Sequence, residues 1–224
     1  MGLGEVSVTR HSSGDLSWPL ARAARLHPHA PAVVWGERTI TYQELAHRVG
    51  GLGSALDELG LAAGARAGFL GVNSLAHVEC WLGVPAFDRV LVDLNFRLAE
   101  SELAFMVDDC ELEVLVVDAD QLPVARALRE RCPSLRELVL DAPGPLADGV
   151  IGYEDLIDRP PAACVAGDEH RLAAISYTGG TTGAPKGVML SHANLLANAR
   201  HNLIATGHAH ADRWLHVCPM FHVA

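Results

Sequence analysis

Apolar residues follow two different periods along the chain. After Thr41, leucines and valines recur every three or four residues, which is the spacing of one face of an α-helix. Thr41 is followed three residues later by Glu44, a pair that predicts a capping box at the start of this helix. Short continuous apolar runs, such as 89–94 and 113–118, predict buried strands instead. The chain therefore alternates between helical and extended patterns.

The alternation extends over most of the sequence. Strands are predicted at 32–41 (two strands joined at Gly36-Glu37), 66–72, 89–94, 113–118, 135–140, 171–177 and 187–190, with a further strand beginning in 213–219. Helices are predicted at 16–27, after Thr41, and at 74–87, 99–109, 120–131, 153–158 and from Ser191 to about 206. Strands that alternate with helices and are nearly continuous in apolar residues predict an α/β fold, with parallel sheets covered by helices on both faces.

Proline-rich segments predict how the chain divides. Residues 1–14 resemble a flexible lead-in, and residues 15–160 are predicted to form a first α/β lobe. A loop-rich bridge at 141–169 contains four prolines and separates this lobe from the last part of the chain. Residues 161–224 are predicted to begin a second lobe, which is incomplete in this sequence. Trp35, Trp81 and Trp214 lie among apolar residues and are predicted to be core side chains.

Candidate chemistry is concentrated in the stretch YTGGTTGAPKG at 177–187. It contains four glycines, three threonines and Lys186, the only lysine in a chain with 16 arginines. A loop of small residues lets backbone N–H groups approach an anion closely, and lysine adds a mobile positive charge suited to phosphate oxygens. The loop also follows a predicted strand, where ligands bind in open α/β sheets. A plain hairpin without ligand is the alternative interpretation.

Two common phosphate-binding motifs do not fit this stretch. A Walker A loop needs Gly-Lys-Ser/Thr followed by a helix, whereas here Gly187 follows Lys186 and the next element is a predicted strand. A dinucleotide-binding G-x-G-x-x-G is also absent, since Gly51 and Gly53 lie inside a predicted helix with Leu56 at the third position. A kinase-like phosphate-binding protein is therefore a less favoured alternative.

The stretch YTGGTTGAPKGVMLSH (177–192) resembles the signature of the adenylate-forming, or AMP-binding, enzymes, and most closely that of acyl-CoA synthetases. The PMFH stretch at 219–222 is similar to the next motif of that superfamily. RTITYQELAHRVGGLGSAL and the Asn-x-Arg of DLNFRL resemble its earlier segments, whereas 85–89 departs from the small, Gly-containing turn of many relatives. The resemblance implies the N-terminal portion of the adenylate-forming fold and covers less than half of a typical relative.

The resemblance also implies a reaction and a set of site residues. A carboxylic acid, expected to be a fatty acid, is activated by ATP with Mg²⁺ as an acyl-adenylate and then transferred to coenzyme A. Lys186 and His222 are the candidate catalytic residues, with His222 lining the acyl or adenylate pocket, and Thr178 is the candidate Mg²⁺ ligand. The β- and γ-phosphates are expected to contact Thr178, Gly179, Gly180, Thr181, Thr182, Gly183 and Lys186.

Two other functions stay open at this point. An adenylation domain that loads a carrier protein would share the same motif, and a truncated chain could bind nucleotide without catalysis. The family's adenine-binding segment, ribose-binding Asp and lid lysine lie further downstream in relatives. This polypeptide alone is therefore expected to be inactive, and a sheet edge left exposed would favour self-association into a homodimer.

Net charge and cysteine content limit the predicted partners and the predicted cellular location. A formal net charge of −10 argues against a nucleic-acid partner, because phosphate backbones require a basic face. Five cysteines lie far apart without a C-x-x-C pair, which predicts reduced, mostly buried thiols and a cytoplasmic location. No run approaches the roughly 20 apolar residues of a transmembrane helix, and the first residues do not resemble a signal peptide.

Overall fold

The computed structural model describes residues 14–146, 148–165, 167–178 and 185–222. The helices are α1 (Ser17–Leu26), α2 (Tyr42–Glu58), α3 (Leu75–Ala86), α4 (Glu100–Asp109), α5 (Leu122–Arg131), α6 (Tyr153–Ile157) and α7 (His192–Thr206). The strands are β1 (Pro31–Trp35), β2 (Arg38–Thr41), β3 (Arg66–Leu70), β4 (Val90–Leu94), β5 (Val114–Asp118), β6 (Glu137–Asp141), β7 (Ile151–Gly152), β8 (Leu172–Thr178) and β9 (Lys186–Ser191). The predicted alternation of helices and strands is confirmed up to α7.

Seven of the strands form one sheet in the order β7-β6-β5-β3-β4-β8-β9. Every pair is parallel except β8 and β9, which pair antiparallel as a hairpin. Strands β1 and β2 form a separate antiparallel pair. The predicted α/β fold with a parallel sheet flanked by helices is therefore confirmed.

Each face of the sheet is covered by its own helices. Phe69 and Leu91 point to a core shared with α2, α3 and α6, whereas Leu70 and Val92 point to a core shared with α4 and α5. Successive strand residues alternate between the two faces, so both must be apolar when both are covered. This explains why the strands are continuous apolar runs rather than alternating ones.

Helix α2 packs closely because glycines interrupt its surface. A Cβ atom at Gly51 would overlap the carbonyl oxygen of Ile157, at the end of α6, and one at Gly53 would overlap the ring of Phe87. The capping box is also present: the Thr41 side chain accepts from the Glu44 backbone N–H, while the Glu44 carboxylate accepts from the Thr41 backbone N–H. The helix predicted after Thr41 and its capping box are therefore confirmed.

The strand predicted in 213–219 is wrong. These residues pair with no strand of the described chain, and the side chains of Trp214, Leu215 and Val217 are mostly exposed. A β-pattern becomes a strand only where a neighbouring strand accepts its hydrogen bonds. The core assignment of Trp214 is wrong for the same reason, and Trp35 is also nearly half exposed.

The predicted division into lobes falls between β7 and β8. Strand β8 nevertheless pairs in parallel with β4, with Leu91 opposite Ala174 and Asp93 opposite Ser176. The first residues after the proline-rich bridge thus continue the sheet of the preceding part of the chain. The boundaries at 14–15 and 160–161 stay predictions.

Candidate active site

The candidate site lies at the carboxyl edge of the parallel strands. Strands β3, β4, β5, β6 and β8 all run in the same direction, so their last residues meet along one edge of the sheet. In open α/β sheets ligands bind outside this edge. The Gly-rich stretch begins here, immediately after Thr178. Gly179, Gly180, Thr181, Thr182 and Gly183 lie outside the described residues, so their assignment to phosphates stays a prediction.

Thr178 and Lys186 stand opposite each other where the hairpin opens. They are paired in the antiparallel register of β8 and β9, and the Thr178 hydroxyl donates to the Lys186 carbonyl oxygen at 3.4 Å. Residues directly opposite in an antiparallel pair present their side chains on the same face. Lys186 is exposed, and its ammonium forms no ion pair within the described part of the chain. A threonine hydroxyl and a free lysine thus flank the predicted loop.

Tyr177 fixes the end of β8. Its hydroxyl donates to the Asp109 carboxylate at 2.6 Å and also contacts the Met106 carbonyl oxygen at 3.2 Å, both on α4. Burial raises the pKa of the Tyr177 phenol, and the Asp109 carboxylate that accepts its hydrogen bond raises this pKa further. The phenol therefore stays protonated and holds the strand end against the helix.

A loop at residues 71–74, which we call the platform loop, joins β3 to α3 at the same edge. The Val72 backbone N–H donates to the Asp118 carboxylate at 2.9 Å, and the Ser74 hydroxyl donates to the Asp141 carboxylate at 2.6 Å. These carboxylates end β5 and β6. A Cβ atom at Gly71 would lie 2.7 Å from Asp118, so the approach requires glycine. Two neighbouring strands thus hold the platform loop in place.

His222 reaches this edge through the residues that precede it. The Phe221 ring packs edge-on against the Phe96 ring, just after β4, with 5.5 Å between centroids. His222 is exposed, and its ring lies 5.7 Å from that of Phe221. The structure therefore places His222 beside the end of β4, whose neighbour β8 leads into the predicted phosphate loop.

Two residues of this edge were not among the predicted site residues. Asn73 contacts the backbone that leads to His222, and Phe96 contacts Phe221, yet neither was a candidate. A signal for Asn73 exists in the sequence, because a polar residue directly after a buried strand lies at the ligand-binding edge of a parallel sheet. Phe96 lies within the Asn-x-Arg segment, which the resemblance identifies without assigning it a role.

The cysteines agree with the predicted reduced state. All five are free, with Cys80, Cys110 and Cys132 buried and Cys218 exposed. Burial raises the pKa of the Cys110 thiol to about 11, which disfavours a reactive thiolate.

Across the described residues, none of the helices combines the length and hydropathy that spanning a membrane would require.

Comparisons with known proteins agree with this geometry. Residues 20–224 match the family model of the AMP-binding enzymes. Feruloyl-CoA synthase from Amycolatopsis sp is 36% identical over 209 residues, and long-chain-fatty-acid–CoA ligase from Thermus thermophilus is 34% identical over 186 residues. The matches cover 93% and 82% of this chain but only 39% and 34% of those relatives, so the chain spans well under half of their length.

A solved structure with a similar fold is ATP-bound MatB from Rhodopseudomonas palustris. The TM-score is 0.79 at 26% identity, over 94% of this chain and 41% of that one. The fold, the hairpin at the carboxyl edge and the family match over residues 20–224 agree with one another. The chain belongs to the AMP-binding enzyme family and corresponds to the N-terminal portion of its longer members.

Proposed function

We propose that the protein of which this chain is part is an ATP-dependent acid–thiol ligase. A carboxylate oxygen attacks the α-phosphorus of ATP, the bond from that phosphorus to the bridging oxygen breaks, and pyrophosphate leaves. The sulfur of coenzyme A then attacks the acyl carbon of the adenylate, AMP leaves, and the thiol proton passes to solvent. The release of AMP in this reaction agrees with the membership of the chain in the AMP-binding enzyme family.

The observation that carries the proposal is the exposed Lys186 opposite Thr178, where the β8–β9 hairpin opens at the carboxyl edge. Pyrophosphate gains negative charge as it leaves, and a cation placed beside it lowers the energy of that transition state. Lysine is a compact, flexible point charge and suits polyphosphate oxygens. We assign Lys186 to this role, and Gly179, Gly180, Thr181, Thr182 and Gly183 to backbone contacts with the β- and γ-phosphates.

Thr178 is proposed as a Mg²⁺ ligand. Thr178 is exposed at the strand end, and within the described residues its hydroxyl makes only a long contact to the Lys186 carbonyl oxygen. One neutral oxygen suits a Mg²⁺ held mainly by nucleotide phosphates, because Mg²⁺ is commonly bound through few protein ligands plus substrate oxygens. When bound, the ion would neutralise phosphate charge, and Thr178 would orient it from the sheet edge.

The acid is proposed to be a fatty or similar organic acid, and His222 is proposed to line its pocket. The relatives reported above carry names for both a long-chain fatty acid and an aromatic acid. A panel of fatty, aryl and short-chain acids in a carboxylate-dependent ATP–pyrophosphate exchange assay would separate these classes. Exchange driven only by amino acids would instead favour a carrier-loading adenylation domain. Release of AMP with coenzyme A as the sole thiol would support the ligase.

The decisive test is Lys186→Ala in the complete polypeptide. Loss of a positive charge at the leaving group is expected to slow ATP–pyrophosphate exchange about 100-fold or more, in line with the removal of one transition-state donor. Arg25→Ala removes a positive charge from an exposed position on α1 and is the matched control. An unchanged exchange rate in the Lys186 variant, with the control also unchanged, would remove Lys186 from the mechanism.

A further inference from the structure

Residues 213–222 lie mostly on the surface, and their one buried side chain is near the end of the segment. The side chains of Trp214, Leu215 and Val217 are 66%, 82% and 76% exposed, and this stretch forms no strand. Phe221, only four residues after Val217, is 7% exposed. Something must therefore fix the chain between 217 and 221, because an apolar ring is buried at the end of a segment that otherwise lies on the surface.

Asn73, from the platform loop, makes the connection with both ends of its side-chain amide. Its Nδ2 donates to the Cys218 carbonyl oxygen at 2.8 Å, and its Oδ1 accepts from the Met220 backbone N–H at 2.8 Å. The two bonds bracket one residue of the distant segment and imitate the pairing of a neighbouring strand. A side chain that uses its donor and its acceptor together fixes both position and orientation of that backbone.

The platform loop is rigid enough for this role. Val72 and Ser74, on either side of Asn73, are bonded to Asp118 and Asp141 at the ends of two other strands. The position of Asn73 is thus set by the sheet rather than by the segment it holds. A functional group that is held by rigid elements is placed more accurately than one that is held only by a loop.

A second contact fixes the residue beside His222. The Arg97 guanidinium lies 5.5 Å from the centroid of the Phe96 ring and 6.0 Å from that of Phe221, within the range of cation–π attraction. The Phe221 ring is held edge-on to Phe96 in the same group. The backbone before His222 and the ring next to it are therefore fixed from two sides.

From this geometry we infer that Asn73 is a positioning residue for His222. Asn73 fixes the backbone at Cys218 and Met220. Because this backbone is fixed, the Phe221 ring packs against Phe96, and the His222 imidazole has a defined position at the carboxyl edge. The inference rests on the proposed function, in which His222 lines the acid pocket. Asn73 acts through the backbone and does not itself contact the acid.

The first test measures the contact directly, by amide hydrogen exchange at Met220 in the complete polypeptide. Asn73→Ala removes the acceptor, so exchange of the Met220 amide is expected to accelerate at least tenfold, while the amides of β3 keep their protection. Asn73→Asp keeps an acceptor for Met220 and is expected to preserve more of its protection. Unchanged exchange at Met220 in the Ala variant would overturn the inference.

The second test asks whether the contact matters through His222. Asn73→Ala is expected to lower kcat/KM for the acid about 10-fold or more, with the KM for ATP unchanged, because small displacements of a positioning group are costly. In a His222→Ala background, Asn73→Ala should have no further effect on kcat/KM. Asn198→Ala, which changes an exposed asparagine on α7, is the matched control.

The outcomes separate the inference from the function on which it rests. If His222→Ala lowers kcat/KM and Asn73→Ala lowers it further by its full factor in the double variant, the positioning role is overturned while the pocket role of His222 stands. If His222→Ala leaves kcat/KM unchanged, the pocket role is overturned and the inference with it. If the unmodified protein shows no carboxylate-dependent ATP–pyrophosphate exchange, the ligase proposal itself is wrong. This holds whatever the amide hydrogen exchange of Met220 shows.

Discussion

The centre of the seven-stranded sheet and its β9 end differ in how completely their side chains are covered. Around β3, β4 and β5, Phe69, Leu91 and Leu115 have no exposed surface. Around β9 and α7, Met189 and Ile204 are 69% and 79% exposed. The described residues thus supply packing partners for the first region but not for the second. The buried packing thus lies away from the hairpin that carries Lys186. Substitutions can therefore change the stability of the fold and the proposed function of Lys186 separately.

The first region also contains the most deeply buried charge of the described chain. Glu79, on α3, has a fully buried side chain and accepts from the Arg48 guanidinium, on α2, and from the Tyr153 hydroxyl of α6 at 2.9 Å. Arg48 also pairs with Glu154 at the surface, at 2.7 Å. One carboxylate therefore ties together the three helices that cover this face.

The largest expected effect comes from truncating a core ring. Phe69→Ala should lower the free energy of unfolding by about 3–5 kcal/mol, since it removes apolar contacts and leaves a cavity at the centre of the sheet. Leu215→Ala, in the exposed segment, should change it by less than about 0.5 kcal/mol. Urea denaturation followed by circular dichroism measures both. Equal losses would show that the two regions do not differ in packing.

The next effect concerns the buried carboxylate. Glu79→Ala should cost about 3 kcal/mol, because it leaves the partly buried Arg48 with one surface partner and the Tyr153 hydroxyl with no acceptor. Glu154→Ala removes the other partner of Arg48, but its side chain is 62% exposed, so the cost should stay below about 1 kcal/mol. A comparison of the two denaturation midpoints tests this, and a larger loss for Glu154→Ala would contradict the assignment of the buried contact.

Helix caps offer a smaller and more local comparison. Both Thr41 and Ser191 form capping boxes, with Glu44 and Asn194 as their respective partners. Each cap is worth about 1 kcal/mol. Thr41→Ala should lower the protection of amides throughout the sheet, because α2 belongs to the main core, whereas Ser191→Ala should affect only amides of α7. Hydrogen exchange read by residue distinguishes them, and global loss of protection in the Ser191 variant would contradict the local role.

The smallest effect is a pH dependence from Asp141. Burial raises the pKa of this carboxyl, against the opposing effect of the hydrogen bond from Ser74. The folded state then binds the proton more tightly than the unfolded state, so the contribution of Asp141 to stability is greatest below the ordinary carboxyl pKa of about 4. It is lost as the pH rises through the raised pKa of the folded protein.

Asp141→Asn should therefore remove this dependence while keeping an acceptor for Ser74. The free energy of unfolding, measured from pH 4 to pH 7, should fall less steeply with rising pH in the variant than in the unmodified protein. Curves that run parallel over this range would show that Asp141 titrates alike in both states.

Local patterns predicted much of the fold. The stripe after Thr41 gave the position of α2, and the runs at 89–94 and 113–118 became β4 and β5, because periodicity and capping depend on residues close in the chain. The position of β8 beside β4 could not be read in this way, since strand order depends on contacts between distant residues. The strand predicted at 213–219 is wrong because an apolar pattern does not contain its own pairing partner.

In the candidate site, too, features that depend on adjacent residues could be predicted, and contacts between distant residues could not. Lys186 and Thr178 could be identified because a loop of glycines and threonines carries its chemistry in adjacent residues. The position of Asn73 after a buried strand indicates the correct edge of the sheet, but its contacts could not be predicted, since they join it to Cys218 and Met220, which lie 145 and 147 residues later. The site contacts missed in the sequence are thus the ones that join separate segments.

The position of β8 has a consequence for synthesis on the ribosome. Strand β4 ends at Leu94, and its second neighbour begins only at Leu172, so β4 emerges long before β8 does. During that interval an apolar strand presents an unpaired side to the cell, which is the condition that promotes aggregation of nascent chains. The last strand to dock beside β4 also leads into the predicted phosphate loop, so the pairing of β8 and the assembly of the proposed nucleotide site become a single step.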